Sequence, residues 1–292
     1  MDMTQQQQQY QQQTEADQAA LWNGRAGRAW VDAQASLDAI LQPFEDRLVD
    51  EVRAGSAQRV LDVGCGTGAT TLAVARLLAS AKGQCVGVDI SEPMIAAARE
   101  RARRESSPAA FICADAQRHV FAPPSFDMVI SRFGVMFFDS PVQAFENLRQ
   151  AARGGAVLRA LAWRSPAENP FMTTAERAAA PLLPNLPARQ PGAPGQFAFA
   201  DRERVSSILE ESGWTGVDIQ PMDVECAMPE KDLNGYFTRL GPVGLMLQEE
   251  PDEHRRAQVI ETVRTAFEPF VRGGEVRFTA ACWMIGAHAP SA

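Results

Sequence analysis

The sequence predicts an α/β protein built on a doubly wound, mostly parallel sheet. Three observations carry that prediction. From Arg59 onward, short apolar runs rich in β-branched residues alternate with segments of helical periodicity. The first run opens directly into "GCGTG", residues 64–68, and aspartates stand at or near the ends of the first three runs, at 62, 89 and 115. With 292 residues, 46% of them apolar, the chain is long enough to bury one large core.

In order along the chain, residues 1–13 hold eight Gln, a low-complexity tail with little to bury that is expected to be disordered. Residues 14–58 read as a helical cap. Within them "TEADQAALWNGRAGRAW" suggests a short capped helix broken at Gly24 and Gly27, and Phe44, Leu48 and Val52 recur at helical spacing before Gly55. Strands are read at 59–63, 85–89, 110–114, 127–131 and 156–163, then near 216–226 and 275–287, seven in all. Ser91 is placed to cap a helix with Pro93 in its first turn, and Ser140 with Pro141 to start another. A third helix from Asp201 turns Val205, Ile208 and Leu209 inward and stops at Gly213. Residues 59–292 therefore read as one main domain. It carries insertions at 164–200 and 229–274, the second holding a helix face of Ile260, Val263, Phe267 and Phe270; such lengths suit lids or binding loops.

Composition excludes several classes. A net charge of −8 offers no field to gather nucleic acid or anionic lipid. Five widely spaced cysteines without a C-x-x-C pair, and three histidines, give no metal-site spacing and read as reduced thiols. No run approaches the ~18 apolar residues of a membrane span, and the N-terminus lacks a basic-then-apolar leader. The expectation is a cytoplasmic protein without a membrane span, acting on a small molecule, its oligomeric state open.

In a doubly wound sheet the ligand sits beyond the carboxyl ends of the strands, beside the first one. Gly64, Gly66 and Ala69 satisfy the dinucleotide spacing G-x-G-x-x-A, but the same bare loop suits S-adenosylmethionine. Asp62, two residues before the first glycine, would repel a pyrophosphate yet could hold an ammonium through ordered water. Asp89 can accept from both ribose hydroxyls of either ligand. Asp115 can take the exocyclic amine of adenine beside the Ala116 N–H, although a helix N-cap would also suit an aspartate there.

The runs "VLDVGCGTG", "GVDISEPM", "CADAQ" and "FDMVISRFGVMFFDSPVQAFENLRQAARGGAVL" resemble the successive motifs of class I S-adenosylmethionine-dependent methyltransferases, particularly the bacterial branch similar to the ubiquinone and menaquinone biosynthesis enzymes. The resemblance implies a Rossmann-like seven-stranded sheet whose last strand runs antiparallel. It implies a first cofactor loop of Asp62, Gly64, Cys65, Gly66 and Gly68, a ribose contact at Asp89, and Ile90 and Met94 against the adenine. It further implies that Asp115 and Ala116 read the adenine edge, and that Ser131, Arg132 and Phe133 sit where the fourth strand opens toward the methyl group. In many members the last two strands form a close hairpin, so the 229–274 insertion is a departure.

Around that frame, Trp22 and Trp30 either cover the cofactor or simply pack their helix. Side chains facing the transferred methyl are sought among Arg132, Phe133, Trp163 and Tyr236, in an aromatic pocket suited to a sulfonium and an organic acceptor. Arg132 and Arg164, at neighbouring strand ends, could pair with a substrate carboxylate or enolate. Cys65 reads as a small filler, and His119, His254 and His288 as ordinary surface or satisfied residues. The expected chemistry is in-line methyl transfer to O, N or C of a small acceptor, with a general base needed only if the acceptor still carries its proton. An NAD(P)-dependent oxidoreductase and an S-adenosylmethionine-binding protein without methyl transfer are the alternatives.

Overall fold

The computed structural model describes residues 18–122, 125–190 and 192–291, so the Gln-rich tail lies outside the described residues. A helical stretch over 18–23 leads into α1 (Arg25–Asp32) and α2 (Gln34–Ala54). Then come β1 (Arg59–Val63), α3 (Ala69–Leu78), β2 (Gln84–Asp89), α4 (Glu92–Arg104), β3 (Ala110–Cys113), β4 (Phe126–Arg132), α5 (Pro141–Ala151) and β5 (Ala152–Trp163). The remainder comprises α6 (Pro170–Ala179), α7 (Arg202–Glu211), β6 (Thr215–Pro229), α8 (Leu233–Arg239), α9 (Gly241–Glu249), α10 (Glu253–Ala266), β7 (Val271–Arg272) and β8 (Glu275–His288).

Sheet order is β3-β2-β1-β4-β5-β8-β6, with β7 paired to β8. The first five strands run parallel, and β8 lies antiparallel between β5 and β6. Strand order reverses at β1, which has β2 on one side and β4 on the other, so the crevice for a ligand opens where β1 and β4 end. Both central strands are buried through almost their whole length, as their unbroken apolar runs require.

Helix α2 spans Pro43 without ending there. A mid-helix proline costs about 3 kcal/mol. Burial of Leu37, Ile40, Leu41, Phe44, Leu48 and Val52 on its inner face, at about 1.5–3 kcal/mol each, outweighs that loss. The face packs on β4, β5 and β6, so one helix ties the centre of the sheet to its antiparallel edge.

Four sequence expectations change. Gly27 does not break its helix; it lies within α1, where an added Cβ would collide with the Trp22 carbonyl, so the glycine permits close packing. Ser140 precedes α5 but makes no capping hydrogen bond; its backbone N–H instead donates to Gln117 Oε1 at 2.8 Å. The sheet has eight strands, because the 229–274 insertion returns through the short β7 before pairing back as β8. That insertion is no loose loop. Strands β6 and β8 stay paired out to Pro229 opposite Glu275, and the segment between them folds as helices α8–α10, of which α9 and α10 pack on α6.

Candidate functional site

The loop from β1 to α3 is shaped by three glycines in left-handed conformation, each for a different reason. Gly64, at φ 67°, meets Gly134 of the β4 loop so closely that a Cβ would lie 2.5 Å from the Gly134 Cα. Gly68, at φ 86°, starts α3 against Phe111 and Ala98. Gly66, at φ 55°, has only Met94 Sδ within 4 Å of where its Cβ would point, at 3.8 Å. Its bare face is open, and a ligand can approach the backbone there. The loop is anchored to β2, for Gly64 and Cys65 both donate their N–H to the Val88 carbonyl.

The three predicted aspartates differ in what they have left to offer. Asp62 is 1% exposed; its Oδ2 accepts the Thr71 hydroxyl at 2.6 Å, while Oδ1 is sealed with no partner. Burial pushes its carboxyl up to about 6, against the opposing pull of the Thr71 hydrogen bond and of Arg132. Asp89 is also raised by burial, although its carboxylate is held by the N–H groups of Gly66 and Ser91, at 2.8 and 2.9 Å. That grip fixes the carboxylate at the end of β2 and ties it to the glycine loop. Asp115 turns back on its own loop, accepting from the Gln117 N–H at 2.9 Å and from the Gln117 amide. Neighbouring Ala116 is buried, its carbonyl accepting from Asn147.

The N-terminal helices close one side of this crevice. The Ser91 hydroxyl donates to the Trp22 carbonyl at 2.6 Å, Asn23 accepts from the Glu92 N–H, and the Asn23 amide donates to the Ile90 carbonyl. The Trp22 ring meets Phe137 edge-on at 5.1 Å and Trp30 at 6.0 Å, so it spans from the start of α4 to the loop after β4. Met94 of α4 is buried, its Sδ toward Gly66.

Past β4, Ser131 is fully buried, its hydroxyl donating to the Val63 carbonyl at 2.8 Å and accepting from the Gly134 and Val135 N–H groups. It ties the two crevice loops together. Phe133 adopts φ 65°, a strained conformation for an aromatic residue. Its ring stacks on Trp163 at 4.4 Å and meets Phe44 edge-on at 4.9 Å, which closes the mouth of β4 with three aromatic faces. Tyr236 lies apart from that trio, in the wall of a cavity of about 310 Å³ bounded by Leu37 and Ile40 of α2, Met228 of β6 and Lys231 and Arg239 around α8. Its hydroxyl donates to Met172 Sδ, and burial raises it above the ordinary phenol range.

The structure turns Arg132 and Arg164 to different partners. Arg164 pairs with Glu168 and with Asp223 and lies over the Trp283 ring, at the sheet's antiparallel edge. Arg132 turns instead into α2, toward Glu45 and the Leu41 carbonyl. Burial, then Asp89 and Asp62, pushes the Cys65 thiol well above its ordinary value, which makes it unreactive filler against Gly87. His254 and His288 are exposed, and His119 packs edge-on to Phe121. Among the described residues no cluster of three or more His, Cys, Asp or Glu is placed to hold a metal ion, and no helix is long and apolar enough to cross a membrane.

Sequence reasoning missed Thr71, Gly134, Phe44, Glu45, Asp38 and Arg101. The last links α4 to α2 through Asp38 at 2.8 Å and to the glycine loop through the Thr67 carbonyl at 3.0 Å. Only Thr71, one helical turn into α3 on the side facing β1, carried a local signal.

The residues present fit S-adenosylmethionine. A buried carboxylate with an orphaned oxygen suits an ammonium, and the open face of Gly66 admits a ligand. The family described as a methyltransferase domain matches residues 60–155. A demethylmenaquinone methyltransferase of Renibacterium salmoninarum is 27% identical over 184 residues, covering 60% of this chain and 74% of the relative. Among solved structures, the YcgJ protein of Bacillus subtilis superposes with a TM-score of 0.54 at 15% identity, covering 85% of this chain and 98% of that one. The cyclase SpnF superposes at 0.51 and 19% identity, covering 85% and 81%. At such identities the two structures speak for the fold alone.

Proposed function

This chain is a class I S-adenosylmethionine-dependent methyltransferase akin to the quinone-biosynthesis branch, and on that premise we propose that it methylates a small, largely apolar organic acceptor in the cytoplasm. The observation that carries the acceptor class is the stacked pair of Phe133 and Trp163 at the mouth of β4, backed by the fully buried Phe44 in an aromatic trio. Ile40, which borders the 310 Å³ cavity, sits one turn before Phe44 on α2, so the cavity and the trio share one wall. A flat apolar acceptor reaching the crevice along that wall is our reading of the path. Relatives named for demethylmenaquinone support a small-molecule acceptor, the −8 net charge argues against nucleic acid, and five unbridged cysteines support a reducing compartment.

When bound, the cofactor supplies a methyl group already activated on a positively charged sulfur. What this chain adds is placement. Asp62, Gly64, Cys65, Gly66 and Gly68 would receive the amino-acid and sugar end, Asp89 the ribose, and Ile90, Met94, Asp115 and Ala116 the adenine. Trp22 and Trp30 would cover the crevice, and Ser131 would hold the loop from β4 against the loop from β1. Phe133 and Trp163 exclude water from the acceptor side and present ring faces to positive charge, while Tyr236 borders the acceptor's path. Alignment of this kind contributes up to ~7–11 kcal/mol in intramolecular reactions, so no dedicated nucleophile is required of the protein.

Incubation with methyl-labelled cofactor and a small-molecule extract tests the proposal. We expect label in an organic-soluble product; label in protein or nucleic acid, or none in any fraction despite tight cofactor binding, would overturn the acceptor class or the transfer itself.

A further inference from the structure

Arg132 is a largely shielded cation short of partners. A guanidinium presents five donors. Its side chain is 13% exposed, yet among the described residues it makes one hydrogen bond, to the Leu41 carbonyl at 3.4 Å, and its nearest carboxylate, Glu45, stands at 3.9 Å. Both contacts are longer than the 2.7–3.2 Å of ordinary N–H···O bonds. Other shielded arginines of this chain are better served. Arg101 holds Asp38 at 2.8 Å and the Thr67 carbonyl at 3.0 Å, and Arg159 holds Glu51 at 2.9 Å and the Leu158 carbonyl at 3.0 Å.

Its surroundings show what the spare donors face. Ile130 of β4 is the register partner of Asp62 in β1, so Arg132, two residues on, leaves the sheet on the same face as Asp62, whose Oδ1 is buried with no hydrogen bond. A cation with unused donors therefore adjoins an anion with an unused acceptor, beside the glycine loop. An α-amino acid zwitterion offers the complementary pair.

We propose that Arg132 binds the carboxylate of the cofactor's amino-acid end, pre-positioned by Glu45 and the Leu41 carbonyl of α2; this rests on the S-adenosylmethionine reading above. The assignment gives the N-terminal helices a task beyond covering the crevice, since α2 aims the guanidinium. It also explains why Arg132 is held loosely: a short bidentate pair with Glu45 would have to be broken before a ligand carboxylate could take its place.

Calorimetric titration of wild type and Arg132→Met with S-adenosylmethionine and with its decarboxylated form, which lacks only that carboxylate, tests the assignment. Wild type should bind the intact cofactor about 10- to 100-fold more tightly than the decarboxylated one, and R132M should bind the two within about twofold. An intermediate preference in Arg132→Lys, which keeps the charge without the fork, would strengthen the assignment. Wild type that does not discriminate overturns it even if R132M fails to fold, as does an R132M protein that retains the full preference. Wild type that binds neither compound overturns the cofactor reading itself, and this inference with it.

Discussion

At the carboxyl ends of β1 and β4 the chain leaves groups short of partners: an orphaned Asp62 oxygen, an under-bonded Arg132, a strained Phe133 and the open face of Gly66. The helical insertion between β6 and β8 is built the other way. There Phe171 stacks on Phe278 at 3.8 Å and meets Phe267 and Phe270 at 5.1 and 5.3 Å, and Phe237 stacks on Phe267 at 5.9 Å. One region holds its ligand through polarity kept in reserve; the other holds shape through apolar contact that leaves little unmatched. Their difference separates the residues that set affinity from those that set stability.

Phe171→Ala should produce the largest change, lowering unfolding stability by about 3–5 kcal/mol in denaturant titration. Its folded fraction should keep wild-type affinity for S-adenosylhomocysteine; a parallel loss of affinity would break the separation of the two regions. Within the cradle, Gly64→Ala and Gly66→Ala sharpen it. The first forces a Cβ into Gly134 and should cost about 3 kcal/mol or more of stability. The second meets open space and should cost only about 1 kcal/mol while weakening cofactor binding at least about tenfold. Equal destabilisation by both would mean that the Gly66 face is not a ligand surface.

Asp62→Asn should stabilise the ligand-free protein by up to about 3 kcal/mol at pH 8 and sharply weaken cofactor binding, the opposite signs expected of a site held in reserve. Between its ordinary 3.8 and about 6, Asp62 keeps a proton in the folded state that the unfolded chain has already released. Wild-type stability therefore falls as pH rises through that window, whereas D62N escapes the fall, and its advantage should shrink to nothing near pH 4. Melting curves from pH 4 to 8 measure this, and a constant offset would refute the buried-charge account. The smallest effect is expected from Arg164→Met, whose partners Glu168 and Asp223 are exposed: less than about 1 kcal/mol in stability and no change in turnover.

Much of the fold was legible because its signals are local. β-Branched runs gave the positions of all seven long strands, and β1 to β4 were read within a residue or so of their ends. Asp201 caps α7 as its spacing implied, and Gly213 turns the chain after it at φ 82°. The glycine loop stood out for the same reason, since positive φ restricts which residues can occupy a position. Where readings failed, a distant contact decided. Gly27 looked like a break because its packing against Trp22 and Ser91 is invisible in the run itself. Strand β5 begins four residues earlier than its apolar run because its first residue, Ala152, pairs with Phe126. The core that the 229–274 helices share with α6 and β8 is likewise invisible in the segment itself.

The sequence by itself determined the backbone: the order of strands and helices, the bare turn after β1, and the acids at the strand ends, because each follows from conformational preferences expressed over a few neighbouring residues. Tertiary structure alone decided which polar groups were left wanting. Arg132 and Arg164 both stand near strand ends and look alike in the chain, yet one is satisfied by Glu168 and Asp223 while the other, turned toward α2, is not. Hydrogen bonding and desolvation depend on what folding brings from tens of residues away, and no local pattern carries that information.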